Sequence, residues 1–515
     1  MAATWLWGIA GCSQFEISLG DKKSKEARLP DLPAVEREFR AAWVATVANI
    51  DWPSAPGLSA ADQQAEALKI LEVSQDLGLN ALILQVRPQR DALYESRLEP
   101  WSYYLTGAQG ESPGYDPLAF WIEEAHDRGI ELHAWFNPYR AHHPAGGEVG
   151  AQSIVRRRPH LVRRLGEEGY HWLDPSLPAV QEHTLAVITD VLRRYDIDGI
   201  HLDDYFYPYP SYNDGRDFPD DDSWRAYRTR GGKLAKGDWR RRHVDRFVQK
   251  LYRQVKKIKK EVRLGISPFG IWRPGHPASI KGLDQYDVLY ADARRWLQRG
   301  WIDYWTPQLY WPIRQVPQSY PVLLNWWAQQ NTRGRHLWPG IISGRAEDAP
   351  GADEFVNQIM IARGAVPRGP GHVHFSMKGL LHNKGGLADS LRAGPYAQAA
   401  LAPATPWLDD TPPAAPRLRA APRDGELMLV WEKSGNAEVF RWVVYWQYGG
   451  HWEYRLFNRG DRVHRLALTR PEGGTKDPAT EQTAPPLQAV AVAAVDRLGN
   501  LSQPAVQRFA PRRGL

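Results

Sequence analysis

The stretch Asp198-Gly199-Ile200-His201-Leu202-Asp203-Asp204-Tyr205-Phe206-Tyr207-Pro208 opens as a buried strand and ends as an aromatic loop. Ile200 and Leu202 fall on one face of the pleat and His201 and Asp203 on the other, because side chains alternate along a strand. The carboxylate pair therefore sits where the strand ends. Charge at the carboxyl end of a strand, ahead of a wide loop of Tyr, Phe and Pro, is the arrangement of barrel and open-sheet enzymes whose active sites are built from strand-end loops. A simpler reading has Asp203 and Asp204 only capping a loop, and the flanking sequence decides between the two.

Upstream, residues 39–47 read as a first strand and Asn49-Ile50-Asp51-Trp52-Pro53 as the loop leaving it. Ser59 suits the N-cap of a helix over 60–77 that Gly78 ends. Residues 81–88 are apolar on both faces, as in a parallel sheet covered on both sides. A helix over 117–128, a strand over 131–138, a long loop and a helix over 178–195 lead into the central stretch. The rhythm continues with strands at 263–268, 303–310, 336–343 and 372–377, separated by helices at 239–261, 287–299, 320–330 and 354–363. Eight alternating units predict an α/β fold, a (β/α)8 TIM-type barrel over residues 37–401. Beyond it, 402–417 is a Pro- and Ala-rich linker, and 418–510 carries short alternating runs that predict a small all-β sandwich. Its ending, Val492-Ala493-Ala494-Val495-Asp496-Arg497-Leu498-Gly499-Asn500, resembles the last hairpin of a fibronectin type III module.

Composition narrows the function. The 515 residues hold 23 Trp and 22 Tyr against 13 Phe, many near strand ends, and flat amphipathic rings suit the faces of sugars or bases. The net charge of +6 is mild and dispersed, and the basic residues do not gather around the aromatic ones, which argues against nucleic acid. The Lys/Arg run over 239–261 is spaced as the solvated face of a barrel helix. Cys12 is the one cysteine, which excludes an intrachain disulfide and a Cys-based metal site. It follows Ile9-Ala10-Gly11, and those four residues resemble the bacterial lipobox, in which the cysteine is lipidated after cleavage. Residues 1–36 then read as a lipoprotein signal and tether, with a membrane anchor on Cys12. His142-His143 and the acidic run Asp217, Asp220, Asp221, Asp222 lack zinc or EF-hand spacing, so neither a metal nor another cofactor is expected.

In a barrel the strand ends converge on one mouth, which here collects carboxylates, amides, hydroxyls and aromatic rings. Glycoside hydrolysis wants this combination, through two carboxyl groups or through one and a substrate N-acetyl group. Asp203 takes the central role by strand parity. Asp204 points away in a regular strand unless the strand end turns it in, and Glu347 is the best-placed remaining general acid, with Asp51 and Asp204 behind it. Arg87, Arg140 and Arg345 are candidate partners for an acidic group on the substrate.

The segments Glu38–Pro53, Gln85-Val86-Arg87-Pro88, Ala134–Arg140 and Asp198–Tyr205 together resemble the glycoside hydrolase-like family ten, a group of bacterial barrels. That family includes an outer-membrane lipoprotein of the divisome acting on peptidoglycan stripped of its peptides. The resemblance, over residues 37–400, implies hydrolysis of denuded peptidoglycan glycan at the periplasmic face of the outer membrane. It also implies partners among divisome or envelope proteins through the C-terminal module. The expected catalytic residues are Asp203, Asp204 and Glu347. The expected sugar groove comprises Asp51, Trp52, Gln85, Arg87, Trp135, Asn137, Tyr139, Arg140, His201, Tyr205, Gln308, Tyr310, Trp311 and Arg345. Gly199-Ile200-His201-Leu202-Asp203 also resembles the fourth-strand motif of the alpha-amylase group, with His in place of its Arg. The chitinase-type motif is similar too, but Tyr205 stands where that motif has its acid. The alternative is a non-catalytic barrel that binds peptidoglycan glycan as a septal or envelope scaffold.

Overall fold

The computed structural model describes residues 31–470 and 484–509; Cys12 and most of the expected tether lie outside them. Two compact units emerge, one of Glu36–Asp410 with Arg497–Gly499 and one that includes Thr411–Asp496. The first is built from strands β1 (Phe39–Val44), β2 (Ala81–Arg87), β3 (Glu131–Phe136), β4 (Gly199–Leu202), β5 (Arg263–Ile266), β6 (Tyr304–Trp305), β7 and β8 (Gly371–His374). β7 consists of two halves, His336–Leu337 and Gly340–Ile341, separated by Trp338 and Pro339. The first half pairs with β6 and the second with β8, which in turn pairs with β1. Every ladder is parallel and the order runs from β1 to β8 and back to β1, so the sheet closes into a (β/α)8 barrel.

Strand alternation divides the buried side chains into two cores. Inward positions Phe39, Ala41, Trp43, Ile83, Trp135, Tyr304, Trp338 and Val373 fill the barrel. Outward positions such as Val44, Leu82, Leu84, Leu132, Ile200 and Leu202 pack under the helices. Full burial of each such side chain stabilises by roughly 1.5–3 kcal/mol. Space inside is rationed by glycine: a Cβ on Gly265 would stand 1.9 Å from the Tyr304 ring, and one on Gly199 would stand 2.4 Å from His133. These glycines are needed for close approach of large rings from the next strand.

The principal helices are α1 (Ala60–Asp76), α2 (Pro117–Asp127), α3 (Pro178–Arg194), α4 (Lys236–Ile258), α5 (Ala293–Arg299), α6 (Tyr320–Gln330), α7 (Ala352–Ala365) and α8 (Leu387–Ala393). Ser59 caps α1 by accepting from the Asp62 amide, as its sequence implies. The helix expected over 287–299 is two pieces, Gln285–Val288 and α5, with Tyr290 between them at φ 51°. The long loop after β3 carries an antiparallel sheet of Arg140–His142, Val162–Leu165 and Tyr170–Leu173, which short, charged strands had concealed. The acidic run after β4 is an ion-pair cluster: Asp217 and Asp220 lie 2.7 and 2.5 Å from Arg240, and Asp221 2.7 Å from Lys236.

The second unit is a small sandwich of two antiparallel sheets. One has the order Arg417–Arg423, Glu426–Glu432, Val463–Ala467; the other His451–Asn458, Arg441–Tyr448, Leu487–Val495, Ala505–Arg508. Leu427, Leu429 and Trp431 alternate inward from the first and meet Trp442, Val444, Val490 and Val492 of the second.

Candidate active site

The central stretch is fixed at its base before it reaches the mouth. Asp198 Oδ2 accepts from the Leu132 amide at 2.7 Å and lies 2.8 Å from His126 Nε2, which ties the start of β4 to β3. From that anchor the alternation puts His201 and Asp203 inside the barrel. β4 ends at Leu202, and the freed backbone then turns Asp204 in as well.

The two carboxylates line a cavity of about 190 Å³ at the carboxyl ends of the strands. β1 and the loop after it contribute Trp43, Ala45, Val47 and Ile50; β2 gives Gln85 and β3 Trp135. Arg140, Tyr205, Ser267, Gln308, Tyr310 and Phe375 complete the wall. One cation and two acids thus share a lining of aromatic, aliphatic, amide and hydroxyl side chains.

Asp203 is buried, and its two oxygens differ. Oδ2 accepts from Trp135 Nε1 and Asn137 Nδ2, both at 3.0 Å, while Oδ1 is buried with no hydrogen-bond partner. Burial pushes the carboxyl up to about 7; Asp204 adds to the rise, and Arg140 with the two donors opposes it. Asp204 is also raised by burial, against the Tyr209 hydroxyl that donates to its Oδ2. Two adjacent acids in one dry site cannot both ionise cheaply, and such a pair is suited to hold and pass a proton near neutral pH. Arg140 lies over the Tyr205 ring at 4.7 Å and donates Nη1 to the Pro88 carbonyl at 3.2 Å.

Beneath the cavity runs a directed chain of hydrogen bonds. Trp43 Nε1 can only donate, so His201 Nε2, 3.1 Å away, accepts. Burial holds His201 well below its usual pKa, so the neutral ring carries its proton on Nδ1, which donates to Tyr304 Oη at 3.0 Å. Tyr304 then donates to His133 Nδ1 at 2.9 Å, and His133 Nε2 donates to Glu131 at 3.1 Å. Ser267 Oγ also reaches His201 Nε2 at 3.0 Å.

Of the expected groove residues, Gln85, Trp135, Arg140, Tyr205, Gln308 and Tyr310 line the cavity with Asp203 and Asp204. Asn137 and His201 stand one layer behind, in contact with Asp203 and Ser267. The others are elsewhere. Glu347 has a side chain 62% exposed and pairs with Lys384 at 3.6 Å, so it is not the acid of this cavity. Arg345 is exposed on the same turn. Asp51 is buried, with Oδ1 accepting from Ser376 Oγ and the Lys378 amide and Oδ2 from the Ala45 amide, a clasp between the ends of β1 and β8. Trp52 is fully buried in the outer core against Trp121. Arg87 forks onto Glu99 at 2.6 Å through both nitrogens and donates to the Asn137 carbonyl. Tyr139 packs on Phe247, and Trp311 on Phe269.

Trp43 and Phe375 join the cavity without having been expected there. Inward parity on β1 marks Trp43, but no local pattern marks Phe375. A larger open groove, about 800 Å³, lies against α4 and α5 and is lined by arginines, of which Arg241 pairs with Asp238 and Asp287 and Arg295 with Asp245.

Residues 38–350, more than half of the chain, match the family described as Glycosyl hydrolase-like 10. The chain belongs to that family. Among glycosyl hydrolase-like 10 relatives it is 38% identical over 488 residues to glycosyl hydrolase YngK of Bacillus subtilis (strain 168), covering 91% of this chain and 92% of YngK. It is 39% identical over 327 residues to glycosyl hydrolase DigH of Escherichia coli (strain K12), covering 59% of this chain and 72% of DigH. Among solved structures, the PgaB (BpsB) glycoside hydrolase domain from Bordetella bronchiseptica aligns with a TM-score of 0.47 at 14% identity, over 70% of this chain and 98% of that domain.

Proposed function

We propose that this protein is a glycosidase that cuts the glycan strands of peptidoglycan after their peptides have been removed, with Asp203 and Asp204 as the reacting acids. The observation that carries the reading is the pair itself: two buried carboxyls of raised pKa, side by side in a sugar-sized, aromatic-walled cavity at the barrel mouth. Arg140, the cation of that cavity, supports the preference for denuded strands. Muramic acid exposes a lactyl carboxylate only when its peptide is gone, and a buried guanidinium selects the charged form over an amide.

The same reading places the chain in the cell envelope. Ile9-Ala10-Gly11-Cys12 supports a lipid anchor facing the periplasm. The three- and four-stranded sheets of the sandwich support a fibronectin type III-like module that spaces the barrel or docks it on envelope or division proteins.

Purified protein and its Asp203→Asn variant are incubated with amidase-treated sacculi and with intact sacculi. Soluble saccharides released from the treated sacculi by the wild type alone are the expected result. Equal release by the variant, or none by either protein, removes the proposal.

A further inference from the structure

Among the described residues the cavity's lining supplies an acid pair and no third carboxylate. Its lining contains two carboxylates, Asp203 and Asp204, consecutive residues at the end of one strand. A displacement by an enzyme carboxylate needs its two carboxyl groups about 5–5.5 Å apart across the scissile bond, and inversion needs roughly 6.5–9.5 Å with a water between. The facing walls offer Gln85, Ser267 and Gln308, which are amides and a hydroxyl. Asp51 is occupied by three protein donors and Glu347 stands outside.

Asp203, which lines the cavity, carries an unfilled acceptor. Asp203 is locked by Trp135 and Asn137 at Oδ2, and Oδ1 is buried without a partner. An unpaired buried acceptor is costly, and a ligand N–H would relieve that cost. Trp43, Ala45, Trp135 and Tyr310 line the same cavity, which gives apolar surface for a methyl group and a phenol beside it.

Resting on the glycosidase reading, we infer that the substrate is a 2-acetamido-2-deoxy sugar whose own acetamido oxygen is the nucleophile, with Asp203 receiving the acetamido N–H and Asp204 acting as acid and then base. In the first step the acetamido oxygen forms a bond to C1 while the C1–O bond to the leaving sugar breaks. That electron pair goes to the leaving oxygen, which takes the Asp204 proton, and the N–H proton passes to Asp203, leaving a neutral oxazoline. In the second, Asp204 takes a proton from water as its oxygen attacks C1; the ring C–O bond opens, Asp203 returns the proton to nitrogen, and the sugar is released with its anomeric configuration retained.

The test uses the full chain with amidase-treated glycan strands and with the thiazoline derived from N-acetylglucosamine, a stable sulfur analogue of the oxazoline. Proton NMR is expected to show retention in the first product. Calorimetry is expected to show thiazoline binding that weakens by about a hundredfold in Asp203→Asn, the scale of a hydrogen bond to a charged group. Tyr310→Phe gives a second variant, expected to weaken binding by about tenfold while the circular dichroism spectrum is unchanged. Cleavage with inversion, or cleavage without thiazoline binding, overturns the inference and leaves the glycosidase reading intact. Asp203-dependent thiazoline binding without cleavage of any glycan upholds the acetamido pocket and removes the glycosidase reading. Neither binding nor cleavage removes both.

Discussion

Glu99 and Asp203 are both buried carboxylates of the same barrel, yet their surroundings are opposite. Glu99, in the loop after β2, accepts from Arg87 Nε and Nη2 at 2.6 Å, from Arg90 at 3.3 Å and from His183 at 2.9 Å. Burial pushes its pKa up, but the Arg87 charge and these donors outweigh burial and hold it well below the usual carboxylate range. Asp203 has two neutral donors on one oxygen, none on the other, and a second acid beside it, so burial prevails and its pKa rises to about 7. A carboxylate that serves structure has its lone pairs filled by cations. One prepared for proton transfer is left short of donors, and that shortage is what a substrate can relieve.

The largest expected effect of breaking this contrast is on turnover. Asp203→Asn lowers kcat/KM on amidase-treated glycan by on the order of 10³-fold, read from saccharide release, while urea denaturation detects no loss of stability at pH 8. The converse change, Glu99→Gln, leaves Arg87 and Arg90 without their anion and is expected to destabilise by about 3–5 kcal/mol in the same denaturation experiment.

A third consequence follows from linkage. Asp203 binds its proton more tightly folded, at about 7, than at the ordinary carboxylate value of 3.8. Its contribution to stability is therefore present below pH 3.8 and is lost as pH climbs toward 7. Stability measured against pH should fall less steeply over that window in Asp203→Asn than in the wild type; an unchanged slope breaks the assignment of the raised pKa.

Smaller effects sharpen the cavity itself. Arg140→Leu is expected to raise KM by about tenfold for muramic-acid-containing strands and to leave chitin oligosaccharides unaffected, because only the former carry a lactyl carboxylate. Tyr209→Phe removes the hydroxyl that favours ionised Asp204, so the limb of the pH–rate profile set by Asp204 moves to higher pH, by about one unit or less.

Legibility in the sequence tracked how local the determinant was. Eight strand–helix alternations, the inward parity of His201 and Asp203, the cap at Ser59 and the alternating sandwich strands follow from spacing alone, since the pleat fixes which face a side chain takes. Beyond the strand ends that rule stops. Asp51 and Trp52 follow β1 just as Arg140 follows β3, but Asp51 turns to Ser376 and Trp52 to Trp121, while Arg140 reaches Tyr205. Arg87 looked like a substrate ligand until Glu99 took both of its forked nitrogens. The barrel, the sandwich and the place of Asp203 were readable from the chain, because periodicity and parity are properties of the local backbone. The tertiary structure alone decided that Asp204 joins Asp203, that Glu347 stays outside, and that one oxygen of Asp203 is left unfilled, because each depends on partners distant in the chain.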